Sequence, residues 1–330
     1  MSVPLQILAM GKYLPPRQVS AAELEARLNL SHGWIEAKNG VSVRHYVDGE
    51  SNSDLGAKAL QRALDKAGLA YEELDLLINA SGSYDYPIPE TSALIQDKMG
   101  QGNSGMPSFT VDATCLSFVT ALDVAGAFIA SGRYRTIAIV SSEVASKSLN
   151  PAEKESATLL GDGAAAAIVR RAPEGSPSAL LSSVMETYGS GAMYTHVKGG
   201  GNVCHPRDAG VRDSDFTFHM DGPAVLGSAF RRLRPFVKKL FGPLDFSLQE
   251  VDLFVPHQAS KVALEKAQRF FRLRDEQFAN YLAQHGNCIA ASIPMALHDA
   301  IEAGRIQRGG RICLLGTAAG LSVGGAVLIY

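Results

Sequence analysis

Three residues in this 330-residue chain are best placed to do chemistry: a cysteine, a histidine and an asparagine. Cys115 stands between the strand-like SFTVDAT and an apolar helical stretch, LSFVTALDVAGAFIASG. A thiol at a helix N-terminus feels the positive end of the macrodipole, which favours the thiolate, the nucleophilic form. A buried, inert cysteine is the other reading of that position. His257 follows the apolar run VDLFVP, at the C-terminal end of a strand, where α/β proteins place ligands. Asn287, in QHGNCIAASIP, opens a second apolar helix and taken alone reads as an N-cap.

The elements that must position these residues alternate between strand and helix. SDLGAKALQRALDKAGL (53–69) has helical spacing; LDLLINASG (74–82), SFTVDAT (108–114), RTIAIVSSE (135–143) and GAAAAIVRR (163–171) read as strands. Such alternation predicts sheets covered by helices. The helix after Cys115 is apolar almost all round, so it is expected to be buried on every side, between two sheets.

The chain also repeats itself. EELDLLINASGS (72–83) resembles QEVDLFVPHQAS (249–260), an offset of 177 residues from Glu73 to Glu250. Cys115 and Asn287 each open a helix that reaches a glycine 17 residues on, Gly132 and Gly304, before an apolar strand. Both halves close on small-residue strands, GDGAAAAIVRR and SVGGAVLIY. The chain therefore reads as two similar α/β halves, residues 1–172 and 173–330, joined near the Pro-rich RRAPEGSPS (170–178). Aligned this way, Cys115 and Asn287 become counterparts whose helix N-termini converge, with His257 entering from a third element. The segments 83–93 and 190–215 fall outside the repeat and are expected as loops, the second a cover or a mobile segment.

Composition narrows the function. A formal net charge of −2 and a pI near 6.5 argue against a nucleic-acid binder. With 46% hydrophobic and 19% charged residues the chain is not of a disordered class. No stretch has the roughly 18 uninterrupted apolar residues of a membrane span: Asp123 interrupts one candidate, and His298 with Asp299 the other. The first residues lack the basic start of a signal peptide. Four cysteines (115, 204, 288, 313) without CxxC spacing suit a reducing compartment, and a cytoplasmic location is expected. No zinc-type ligand spacing is present, so no metal is expected. Cys288 and Cys313 read as core, Cys204 with His205 as surface, and His285 as a structural histidine of the HG turn.

WIEAKNGVSVRHY (34–46), VDATCLSF, SSEVASKSLNP, LLGDGAAA, FHMDGPAV, VDLFVPHQAS and QHGNCIAASIP, with the closing Gly-rich turn, together resemble the thiolase superfamily, and within it the β-ketoacyl-carrier-protein synthase III family. The resemblance spans essentially the whole chain. It implies a thiolase-like fold, five layers in αβαβα order, and an acyltransferase in fatty-acid or specialised-metabolite assembly. By the same resemblance Cys115 is the nucleophile that forms an acyl-enzyme. His257 and Asn287 are the pair that stabilises the enolate left when a malonyl thioester loses CO₂. The backbone N–H groups of Cys115 and Ala318 form the oxyanion hole. Substrates are coenzyme A or acyl-carrier-protein thioesters: an acyl-CoA or acyl-carrier-protein primer and malonyl-carrier protein, with no tightly bound cofactor. A homodimer is also implied.

The sequence departs from that family in four places. The coenzyme A contacts align with Trp34, Lys38 and Lys147, and the two lysines stand where arginines are usual; lysine lacks the planar stacking surface and the bidentate fork. The closing turn GTAAGLS replaces a glycine run. Ile88 stands where a phenylalanine limits the partner's acyl pocket, implying a longer or different primer than acetyl. The usual docking arginine aligns with Val262. A carrier-protein surface is nonetheless expected around Arg231, Arg232, Lys266 and Arg269, basic residues flanking MDGP and VPHQAS. The alternatives are a non-decarboxylative condensation, or acyl transfer to another nucleophile, on the same fold. A non-catalytic partner subunit and a Cys–His–Asn hydrolase are set aside, by the intact trio and by the duplication respectively.

Overall fold

The computed structural model describes residues 2–330. In chain order its strands are β1 (Leu5–Tyr13), β2 (Arg17–Ser20), β3 (Val43–Tyr46), β4 (Leu76–Asn79), β5 (Ser108–Thr110), β6 (Thr136–Glu143), β7 (Gly163–Arg171), β8 (Ala179–Thr187), β9 (Thr195–Val197), β10 (Phe218–Met220), β11 (Leu253–Pro256), β12 (Arg311–Ala318) and β13 (Ser322–Ile329). The helices are α1 (Ala21–Arg27), α2 (Trp34–Lys38), α3 (Asn52–Ala67), α4 (Thr91–Lys98), α5 (Ser117–Ser131), α6 (Lys154–Ala157), α7 (Gly222–Phe241), α8 (Lys261–Phe271), α9 (Leu282–His285) and α10 (Ser292–Glu302).

Two mixed sheets carry the fold, one in the order β1-β7-β6-β4-β5 and one in the order β11-β12-β13-β8. Strands β4, β7, β11 and β12 are largely apolar because both of their faces are covered. Along β6, Ile137 and Ile139 point into the central layer while Ala138 and Val140 meet the outer helices. Along β12, Ile312 and Leu314 point inward while Cys313 and Leu315 face the other outer layer. The central layer holds α5 and α10; α3 and α4 cover the first sheet, and α7 and α8 the second. This is the five-layer, thiolase-like α/β arrangement.

α5 is not enclosed on every side. Phe118, Leu122, Ala125 and Ile129 are buried, but Asp123, Ala127 and Ala130 lie at the surface. The apolar stretch Thr114–Ser131 is long enough to cross a membrane, yet half of it is buried between the sheets. Residues 190–215 are also more ordered than a loop: Thr195–Val197 pairs antiparallel with Phe218–Met220. That hairpin buries Cys204, which is not a surface residue.

Candidate active site

The repeat aligns differently at its centre than the sequence spacing suggests. Thr114 and Ile289 are both held at positive φ, +50° and +46°, which is strained for β-branched residues. In each turn a side-chain oxygen two residues back accepts the strained residue's N–H: Asp112 Oδ1 at 2.8 Å from Thr114, Asn287 Oδ1 at 2.9 Å from Ile289. In each turn a serine hydroxyl three residues on, Ser117 or Ser292, accepts an N–H at 2.9 Å, from Ala113 or Cys288. Asn287 is therefore the counterpart of Asp112, and Cys115 of Ala290. The 17-residue spacing misled because the second half reaches its glycine three residues sooner: Gly304 is 14 residues past Ala290, whereas Gly132 is 17 past Cys115, and α10 is the shorter helix.

The two turns meet. A Cβ on Gly82 would lie 3.3 Å from Thr114 Cα, 3.2 Å from Ile289 Cγ2 and 3.5 Å from Glu143 Oε1. His257 joins from the second sheet: a Cβ on Gly316 would lie 2.9 Å from His257 Cβ and 3.3 Å from Leu116 Cδ2, beside Cys115. The Asn287 Nδ2 donates to the Ala259 carbonyl, two residues past His257, at 3.3 Å. Because its Oδ1 is held by Ile289 and Ser292, the amide presents N–H outward, with one hydrogen left for another acceptor.

Electrostatics assign states to these groups. Burial pushes the Cys115 thiol up to about 12, the charge of Glu143 adds to the rise, and the N–H groups of Ala319 and Cys115 pull the other way. The helix N-terminus thus does not by itself make Cys115 a standing thiolate. The N–H facing the sulfur is that of Ala319, one residue past Ala318, which is paired with Ser322 at the end of β12. Thr114 Oγ1 donates to the Ala319 carbonyl at 3.3 Å and fastens that turn to the nucleophile. Burial lowers His257 to about 4, so its imidazole is neutral near pH 7, and its Nδ1 is buried without a protein partner.

His285 is held as a structural residue: its Nε2 lies 2.6 Å from Asp299 Oδ2, and Lys12 and His298 bind the same carboxylate. Burial opposes charge on Asp299, but these three partners outweigh it and hold the carboxyl well below its usual range. Glu143 lies within SSEVASKSLNP, but nothing in that stretch assigns it a role. It ends β6 after Ser141 and Ser142, and it is completely buried beside Cys115.

A cavity of about 870 Å³ opens between α7 and α8 and descends to His257, Gly316 and Thr317. Lys38 and Lys266 line it together with apolar residues such as Phe230 and Leu233. Trp34 packs half-buried against the core of the second half, and Lys147 is exposed after β6. Arg231 and Lys266 are exposed, and Arg269 is loosely paired with Glu265 at 3.8 Å. Arg232 is turned inward: it stacks over Tyr188 at 4.0 Å and donates to Ser228 O and Oγ at 2.8 and 2.7 Å. Among the described residues no group of three or more His, Cys, Asp or Glu could hold a metal ion.

Comparison with known proteins agrees over the whole length. Residues 109–189 match the family described as 3-Oxoacyl-[acyl-carrier-protein (ACP)] synthase III, and residues 244–330 its C-terminal counterpart. The chain is 33% identical to the β-ketoacyl-[acyl-carrier-protein] synthase III of Syntrophomonas wolfei, covering 98% of this chain and 97% of that one. It is 32% identical to the protein of the same name in Neisseria meningitidis, over 98% and 99%. The crystal structure of the 3-oxoacyl-[acyl-carrier-protein] synthase III of Aquifex aeolicus superposes with a TM-score of 0.89 at 28% identity, over 99% and 100% of the two chains.

Proposed function

The chain belongs to the β-ketoacyl-acyl-carrier-protein synthase III family and is a condensing acyltransferase, and we propose that Cys115, His257 and Asn287 are its catalytic residues. The observation that carries this reading is the meeting of the Thr114–Cys115 turn and the Asn287–Ile289 turn beside His257, which itself lines an apolar cavity open to the surface.

The Cys115 sulfur attacks the carbonyl carbon of an acyl thioester; the new C–S bond replaces the old one, and the thiol proton leaves with the departing thiol. The N–H groups of Cys115 and Ala319 receive the carbonyl oxygen as charge develops on it. A malonyl thioester then loses CO₂. The enolate oxygen accepts hydrogen bonds from neutral His257 and from the free N–H of Asn287. The enolate carbon attacks the acyl carbon, a C–C bond forms, and the Cys115 sulfur leaves with the electron pair.

The cavity between α7 and α8 takes the pantetheine arm of a coenzyme A or carrier-protein thioester; Lys38 lines it, and Trp34 and Lys147 are the further coenzyme A contacts of this reading. The primer is an acyl-CoA or acyl-carrier protein and the extender malonyl-carrier protein. The exposed Arg231, Lys266 and Arg269 form the carrier-docking face, from which the internal bonds of Arg232 remove it. We infer a cytoplasmic homodimer whose protomers each divide into halves 1–172 and 173–330. Incubation with a panel of acyl thioesters plus malonyl-carrier protein, with products identified by mass, tests the reaction. Asn287→Ala should still acylate Cys115 but lose condensation by about 10²–10³-fold. Condensation at the wild-type rate in that variant would overturn the enolate role.

A further inference from the structure

Glu143 ends β6 and is completely buried. Its Oε1 accepts the Gly82 N–H and its Oε2 the Ser83 hydroxyl, both at 2.6 Å, and the Ala290 N–H also points at it. Gly82 and Ser83 belong to the first half; Ala290 belongs to the second. Ala290 is the residue that occupies, in the second half, the position Cys115 occupies in the first. Around Cys115 the corresponding backbone N–H is free to receive a thioester oxygen, and the end of β12 supplies the neighbouring donor from Ala319. Around Ala290 the end of the equivalent strand supplies a carboxyl instead. The duplicated anion site is filled from within.

We propose that Glu143 is a positioning residue of the condensing site: its carboxyl occupies the second-half copy of the oxyanion hole, fastens the Gly82–Ser83 segment to Ala290, and so holds the Cys115 turn against the Asn287 turn. The proposal rests on the catalytic assignment above. Both turns are strained, and strained backbone persists only where its surroundings over-determine it; a buried acceptor shared by three donors from two halves does that. An electrostatic consequence follows. The titratable groups facing Glu143 are Cys115, Asp112 and Cys288. Burial raises its carboxyl to about 8 against the three hydrogen bonds, so it gains charge as the pH passes through that value. Once charged, it opposes ionisation of Cys115.

Two measurements separate reach from charge. Glu143→Gln keeps the shape but turns an NH₂ toward a donor and removes the charge. It should lower condensation kcat about tenfold with little change in KM. It should also shift the pH profile of Cys115 alkylation by iodoacetamide, read on the Cys115 peptide, downward by roughly one unit. Glu143→Asp keeps the charge but shortens the reach, so it should restore the alkylation profile and leave condensation low. Should Glu143→Gln not fold, Ser83→Ala removes one donor and should lower condensation several-fold. Condensation at the wild-type rate in folded Glu143→Gln, or in Ser83→Ala, overturns the proposal. Alkylation does not depend on the catalytic assignment. An error in that assignment would show separately, as a wild-type protein that forms no acyl adduct at Cys115.

Discussion

Gly161→Ala should separate the two half-reactions without changing any of the three proposed catalytic side chains. Leu160 bridges Asn287 in parallel register, and the Gly161 N–H donates to the Asn287 carbonyl at 3.1 Å. Its backbone φ is not in the left-handed region, so alanine is conformationally allowed and the effect is purely steric. An added Cβ would lie 2.3 Å from the His285 carbonyl oxygen and 3.1 Å from Arg44 Cβ. Neither is the end of a flexible side chain: one is backbone, and Arg44 is completely buried. Reaching ordinary contact distance requires the HGN turn to withdraw by roughly 1 Å, and overpacking of this kind costs about 1–3 kcal/mol. A misplacement of about 1 Å at a catalytic group can cost about 10²-fold in rate. Asn287 rides on the displaced turn, whereas the Thr114–Cys115 turn does not contact Gly161. Decarboxylation of malonyl-carrier protein and condensation should therefore fall about 100-fold, while Cys115 acylation stays within a few-fold of wild type. Urea unfolding confirms the folded state and gives the stability loss. A folded variant that condenses at the wild-type rate would refute the argument that this backbone contact sets the place of Asn287.

His257 is lowered from 6.5 to about 4 when folded, so the unfolded chain binds the extra proton between those values. Its contribution to stability is complete above pH 6.5 and should shrink by about 3 kcal/mol as the pH falls to 4. The difference in urea midpoint between wild type and His257→Gln, followed from pH 7 to pH 4.5, should show this slope, and condensation should show no titration near 6.5. Reversing Arg231, Lys266 and Arg269 to Glu should raise the KM for malonyl-carrier protein and flatten its salt dependence, because complementary charge acts chiefly on encounter. Turnover of a small pantetheine thioester is the control and should hardly change; indifference of the carrier-protein kinetics would make this face a plain solvated surface.

The architecture was legible in the sequence because continuous apolar strands and matched helix stretches in two halves leave few arrangements that cover every face. The proposed trio of Cys115, His257 and Asn287 stands out in the sequence because each follows a buried strand or opens a buried helix, while the roles proposed for it come from the family resemblance. The pairing of the two turns was not legible. Thr114 and Ile289 look like ordinary apolar-context residues until their positive φ is seen, and the shorter α10 offsets any count made from the helix C-termini. Glu143 lies in SSEVASKSLNP, but its role was not legible there, because only the packing of the two halves buries its carboxyl among donors from both. The inward turn of Arg232 depends on Tyr188, 44 positions away, which no charge run records.

The central claim is that Cys115 carries the acyl group, and a brief incubation with a reactive acyl thioester followed by peptide mass analysis tests it most directly. The peptide containing Cys115 should gain the mass of the acyl group in the wild-type protein, and Cys115→Ala should gain none anywhere. An adduct on Cys204, Cys288 or Cys313 with Cys115 unmodified would contradict the account.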